Sequence, residues 1–242
     1  MPITRETLNH IIVGFRFEKA FRVGDIAGEI CDVALHHKST QFGTDFFPRY
    51  QETGTLDRAL INDDRRHFLR ITTSDVIFQY TFQSKDDGQE KELNWIRKDA
   101  IPFIVDKIII EKNIKNILRV GMMMGHIIEG VNLGGSIISR LTDNIESKGD
   151  QFSLTFGRKD TAIESLIRKD VEDYVNRLFL MQQISQETYD LTFDYQYYFN
   201  PPIRDLRDWN CENFIDKALF QLESVFYPFV NSLISTTVEV GQ

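Results

Sequence analysis

The side chains able to do chemistry in this 242-residue sequence are few and widely spaced. His36 and His37 are adjacent at the end of an apolar helical pattern, with Asp45, Asp63 and Asp64 further along. A metal ion or a general base would need a second ligand brought close by folding, because neighbours on a helix project about 100° apart and cannot easily serve one ion. The ordinary role of such a pair is to meet the helix dipole at its C-terminus. Cys31 and Cys211 lie in apolar patterns far apart, with no CxxC spacing, and read as buried free thiols. Gly134-Gly135 lacks the context of a phosphate loop, and no GxSxG elbow is present. No catalytic residue, metal or cofactor is therefore assigned.

Two further groups could make contacts. Arg65, Arg66, His67 and Arg70 form the densest basic run, which Arg16, Lys19 and Arg22 would join if the first strand paired beside the following hairpin. Such a patch could meet phosphates, with Phe78 or Tyr80 as stacking platforms on an open sheet. Against it stand 28 basic and 36 acidic side chains, a net charge of -8 that repels polyanions. The aromatics Phe46, Phe47, Tyr50, Tyr197, Tyr198 and Phe199 are the expected contact residues for a protein partner, since interface cores favour such side chains.

These residues must be positioned by elements legible in the pattern. Ile11, Val13, Phe15 and Phe17 alternate as a strand, and Asp25 to His37 follows as an amphipathic helix. Lys38 to Asp64 reads as a long surface loop. His67 to Thr73 and Val76 to Phe82 make a hairpin, and Leu93 to Ile109 a helix that Pro102 should kink or begin. Ile117 to Ile128 returns to strand composition, with three methionines as core filler. The glycine-bearing stretch 131–149 is the natural linker. Beyond it the reading gives a strand at 152–156, a short helix capped by Thr161 and Glu164, and a strand over 173–183. Leu191 to Tyr197 is a strand stopped by Pro201 and Pro202; a long helix through Phe226 and a closing edge strand at 235–240 complete the chain.

The same order of strand, helix, two strands, helix and strand is thus read twice. The expected fold is α+β: two packed ferredoxin-like (split β-α-β) halves with antiparallel sheets, residues 1–130 and 150–242, each covering the other's open face. The 42% hydrophobic content suits a globular core, and no apolar run approaches the roughly 18 residues of a membrane span. With no leader pattern at Met1 to Glu6, a cytoplasmic setting is expected.

His10-Ile-Ile-Val-Gly-Phe-Arg-Phe-Glu18, Ser74-Asp-Val-Ile-Phe-Gln-Tyr80, Asn116-Ile-Leu-Arg-Val-Gly121, Asp190-Leu-Thr-Phe-Asp-Tyr195 and Phe226-Tyr-Pro-Phe-Val-Asn-Ser232 resemble successive blocks of a family of uncharacterised prokaryotic proteins with a sporadic distribution among genomes. The resemblance spans most of the chain. It implies an α+β cytoplasmic protein and, from the patchy distribution, an accessory role in mobile-element or defence loci. The expected function is a non-catalytic binding or adaptor protein acting on a protein partner or its own copy. The alternatives are an RNA-processing protein on tandem ferredoxin-like domains, with His36 or His37 as base, and, more weakly, a metal-dependent hydrolase.

Overall fold

A computed structural model describes residues 2–36, 42–53, 56–83, 87–129, 152–161, 167–168, 171–185 and 187–238. Every described strand belongs to one nine-stranded sheet. Its strands are β1 (His10–Phe17), β2 (Arg49–Thr53), β3 (Asp57–Asn62), β4 (His67–Ile71), β5 (Asp75–Thr81), β6 (Ile117–Glu129), β7 (Ser153–Asp160), β8 (Tyr174–Ser185) and β9 (Thr188–Ile203). All neighbours pair antiparallel in the order β2-β3-β4-β5-β1-β6-β9-β8-β7.

Alternation decides what each face does. Ile11, Val13 and Phe15 of β1 stand opposite Met124, Met122 and Val120 of β6, and these stand opposite Phe193, Tyr195 and Tyr197 of β9. All nine are buried. Over them, among the described residues, lie four helices: α1 (Phe21–Asp25), α2 (Ala27–His36), α3 and α4. Helix α3 runs as Asp87–Trp95, Ile96–Ala100, Ile101–Phe103 and Ile104–Ile110, and α4 as Cys211–Gln221, Leu222–Phe226 and Tyr227–Val238. Asn210 caps α4, its side chain accepting the Asn213 N–H at 2.9 Å.

Both long helices contain a proline and neither stops there. Each widens into a π turn that ends two residues before it: Ile96–Ala100 before Pro102, and Leu222–Phe226 before Pro228. Proline has no N–H for the carbonyl four residues back, and the wider turn hands that carbonyl to the next donor along. The proline is accommodated inside α3 rather than starting it.

The antiparallel α+β character expected from sequence is present, but the second sheet is not. Instead β6 is hydrogen-bonded to β1 on one side and to β9 on the other, so the two parts of the chain meet edge to edge. Outward from this β1/β6 pair the order is the same in both directions, β1-β5-β4-β3 and β6-β9-β8-β7, with β2 added at one end. The sequence echoes this symmetry: Asp75-Val-Ile-Phe-Gln-Tyr80 of β5 beside Asp190-Leu-Thr-Phe-Asp-Tyr195 of β9, and Ile101-Pro-Phe of α3 beside Tyr227-Pro-Phe of α4. The two ferredoxin-like halves are not formed, and this symmetry sets β6, not β7, opposite β1.

Three local expectations also change. The loop expected over Lys38 to Asp64 contains the β2/β3 hairpin, which lacks a clean apolar period because it lies at the sheet edge. β9 continues through Pro201 and Pro202 to Ile203, and the closing strand at 235–240 is not formed, since α4 extends to Val238. The linker 131–149 and the capping position Glu164 lie outside the described residues. Among those described, no helix is long and apolar enough to cross a membrane.

Candidate functional site

The turn at 43–46 folds Phe46 back against the end of β4/β5 and the side of α3. There Phe46, Tyr80 and Trp95 wall an open cleft of about 490 Å³, within the size range of ligand sites. The site is built around His67, which alternation points to the helix side of β4. Its ring lies nearly parallel to those of Phe46, at 5.0 Å, and Tyr80, at 4.3 Å, which are themselves 6.4 Å apart. Nδ1 accepts the Thr81 N–H at 3.2 Å. Burial, with Arg65 adding to it, pushes this imidazole down to about 4. It is therefore a neutral, buried ring. Tyr80 is pushed well above the ordinary phenol range by its burial and by the Glu92 carboxylate beside it.

Arg65 and Lys91 stand on the rim of this cleft, with Asp45 and Glu92 among them. Neither cation has a carboxylate within ion-pair distance among the described residues. The Trp95 indole N–H is buried and without a partner among the described residues. An aromatic slot with charges of both signs at its mouth suits an amphipathic side chain, whose apolar body enters while its polar end stays at the rim.

Of the residues singled out by sequence, the fold brings Asp45, Phe46, Arg65, His67 and Tyr80 together here and disperses the others. Phe47 and Tyr197 are core residues, 2% and 0% exposed, so neither offers a contact surface. Phe199 is buried as well. Phe47 packs on Phe42, and Tyr197 faces the helices because β9 alternates with β6. Tyr50 is exposed on the edge strand β2 and donates to Glu52. Tyr198 points to the opposite face of the sheet, stacked on Tyr174 at 4.7 Å, with Lys159 over Tyr174 and Arg119 near Tyr198.

The basic run does not form a patch. Alternation sends Arg70 to the face opposite His67, where it pairs with Asp57 at 3.0 Å, and Arg16 pairs with Asp75 at 2.8 Å. Arg66 sits in the β3/β4 turn at φ 56°, and its carbonyl accepts from Gln79 and Thr81. Arg22 donates to the carbonyls of Lys112 and Asn113. Phe78 is fully buried under the helices, so it cannot be a stacking platform on an open sheet; Tyr80 is the buried wall already described.

The remaining candidates lie away from this cleft. His36 is exposed at the end of α2, while His37 lies outside the described residues. Cys31 is buried, and burial pushes its thiol up to about 12, far from a reactive thiolate. Cys211 is also free and half-buried. No group of three His, Cys, Asp or Glu that could hold a metal occurs among the described residues.

What sequence reading missed is the contribution of α3. Lys91, Glu92 and Trp95 come to the cleft from a helix whose register only packing could set. The i, i+1, i+4 spacing of these three was the available signal.

A second buried imidazole, His126 of β6, is held by Thr7. The Thr7 hydroxyl donates to the Thr4 carbonyl, leaving its oxygen to accept from His126 Nδ1 at 3.2 Å. Burial pushes His126 down to about 4. His67 and His126 thus bind protons in the unfolded chain at pH values where the folded chain refuses them. Their contribution to stability is complete above pH 6.5, the ordinary value, and is lost as pH falls from there towards 4. His10, also lowered by burial, adds to this, while the carboxyl of Asp194, raised by burial, acts in the opposite sense. Urea midpoints measured across that window should fall with pH, and a His126→Gln variant should show a shallower slope. A slope equal to the parent's would mean that His126 does not contribute.

No family model matches the chain, and neither a curated protein nor a solved structure matches it.

Proposed function

We propose that this protein works by contact rather than by turnover, as a binding or adaptor protein whose Phe46/Tyr80/Trp95 cleft receives an anchor side chain from a protein partner. The observation that supports this reading is the cleft itself. Three aromatic walls and a rim of Arg65, Lys91, Asp45 and Glu92 surround a space large enough for one amphipathic side chain. Buried aromatic slots of this kind hold the few residues that dominate a protein interface. The imidazole beneath is neutral and covered, and the Thr7 hydroxyl near His126 donates to a backbone carbonyl, so neither is a base–nucleophile pair facing substrate. The family resemblance suggests the setting, an accessory component of a mobile-element or defence locus.

The test begins with a partner captured on the wild-type chain from its own host and then purified. Against that partner, Phe46→Ser should weaken binding about thirtyfold, the scale of a hot-spot residue. Charge reversal at the rim, Arg65→Glu with Lys91→Glu, should weaken it without moving the unfolding midpoint, since neither side chain has a carboxylate partner among the described residues. His36→Ala should leave biological activity intact. Loss of activity in that last variant, with partner binding and stability unchanged, would instead favour a catalytic protein. Phe47 is unsuited to such a test, because its loss would open the core.

A further inference from the structure

The opposite side of α3 from the aromatic cleft carries a second space, about 460 Å³, between that helix, the N-terminal turn at Arg5–Thr7 and α4. Its apolar wall comes from Leu8, Phe82 and Leu93, and its polar wall is acidic, with Glu6, Glu90 and Glu223. A single cation, Arg5, reaches in and bridges Glu90, at 3.5 Å, and Glu223. One arginine among three carboxylates leaves the space with an excess of negative charge.

Acidic side chains alone would say little, but Gln89 supplies an independent observation. It lines the same space and is only 4% exposed. Its amide nitrogen donates to the Leu8 carbonyl at 2.6 Å, which fixes the orientation of the amide and leaves Oε1 as a buried acceptor with no partner among the described residues. A buried carbonyl without a donor has lost its water and gained nothing in return. The missing group is an N–H or O–H donor, and the surrounding charge selects a positive one. The apolar wall asks for a hydrocarbon stem behind it.

We infer that this cleft is a binding site for an alkylammonium group, lying beside Gln89 and drawing on the carboxylates that Arg5 now occupies. Arg5 acts as a tethered competitor, a cation of the chain's own held where the ligand's cation would go. The same chemistry is offered by a lysine side chain and by a free diamine. The inference stands apart from the aromatic cleft and does not depend on its function.

The experiment is a titration of the full chain with pentane-1,5-diamine, with the blocked tripeptide acetyl-Gly-Lys-Gly-amide, and with pentan-1-ol as the neutral control. It is followed by calorimetry and by the side-chain amide resonances of Gln89. At least one amine should bind and shift those resonances, and binding should weaken as salt is raised, because the attraction is between charges. Tighter binding of the diamine identifies a free amine as the ligand, and tighter binding of the tripeptide a lysine. Glu223→Gln should weaken the amine about tenfold, the effect of losing one charge-assisted contact. Arg5→Ala should bind the amine more tightly than wild type, which a purely structural role for Arg5 would not produce. Should neither amine move the Gln89 resonances, should pentan-1-ol bind as well as the amines, or should Arg5→Ala bind no more tightly, the inference is wrong. The wild-type resonances decide the matter even if a variant fails to fold.

Discussion

Phe226→Ala should cost about 3 to 5 kcal/mol of folding stability, the usual toll for removing a buried ring and leaving a cavity. Phe226 is fully buried where α4 crosses the sheet, within the π turn that precedes Pro228. Its ring packs on Phe193 of β9 at 5.5 Å and Phe179 of β8 at 5.7 Å, and it stacks near His126 of β6 at 6.3 Å. One side chain thus fastens a helix to three neighbouring strands, and the π turn limits how far the helix can settle to refill the space. Phe220, on the same helix but 63% exposed, is the control, and its truncation should change stability by less than about 0.5 kcal/mol. Urea unfolding of both variants checks the contrast. A Phe226→Ala loss as small as that of Phe220→Ala would show that α4 is not seated on this part of the sheet.

Asp173→Ala should be comparably damaging, at about 3 kcal/mol or more, because it removes one partner from a buried charged network. Asp173 is 1% exposed, just before β8. Its carboxylate accepts from Arg168 through both oxygens, from the Tyr197 hydroxyl at 2.9 Å and from the Asn200 N–H at 2.8 Å. The Tyr197 oxygen in turn accepts the backbone N–H groups of Ile167 and Arg168. Alanine would leave a buried hydroxyl and a backbone donor without an acceptor and strand a partly buried guanidinium. Asp173→Asn keeps acceptor capacity while losing the charge, so its loss should be clearly smaller. Equal losses in the two variants would mean that space filling rather than polar satisfaction is what Asp173 provides.

Both residues show how unevenly the sequence spoke. Phe226 is recoverable from periodicity: Ile215, Leu219, Leu222, Phe226 and Val230 recur at helical spacing, so its burial follows from any fold that covers one stripe of the helix. Asp173 is not, because nothing local distinguishes a solvated aspartate from one that will collect four donors from residues up to 27 positions away. Tyr197 and Tyr198 fail in a related way. Their adjacency on one strand guarantees opposite faces, yet which face meets helices depends on the register with β6, and that pairing is remote in sequence.

The aromatic cleft was half legible. Phe46 and Arg65 were visible as an aromatic cluster and a basic run, while Trp95 read only as a position on a helix, and Lys91 and Glu92 fell before the helix expected from Leu93, which in fact starts at Asp87. Charge could be counted from composition, but Arg16 and Arg70 find their aspartates through cross-strand pairing, so the patch they suggested is neutralised where it would have formed.

By itself the sequence determined the antiparallel α+β class, the central strands and long helices, and the free thiols. Those properties depend on the period of apolar residues and on local turn chemistry, which act over a few neighbours. Only the tertiary structure decided that the two parts of the chain share one sheet, because strand pairing is a backbone interaction and carries no side-chain code for which edge meets which. It also decided which face each aromatic occupies, and that Gln89 ends with a buried oxygen and no donor among the described residues. Each of these depends on groups that approach only after the chain has folded.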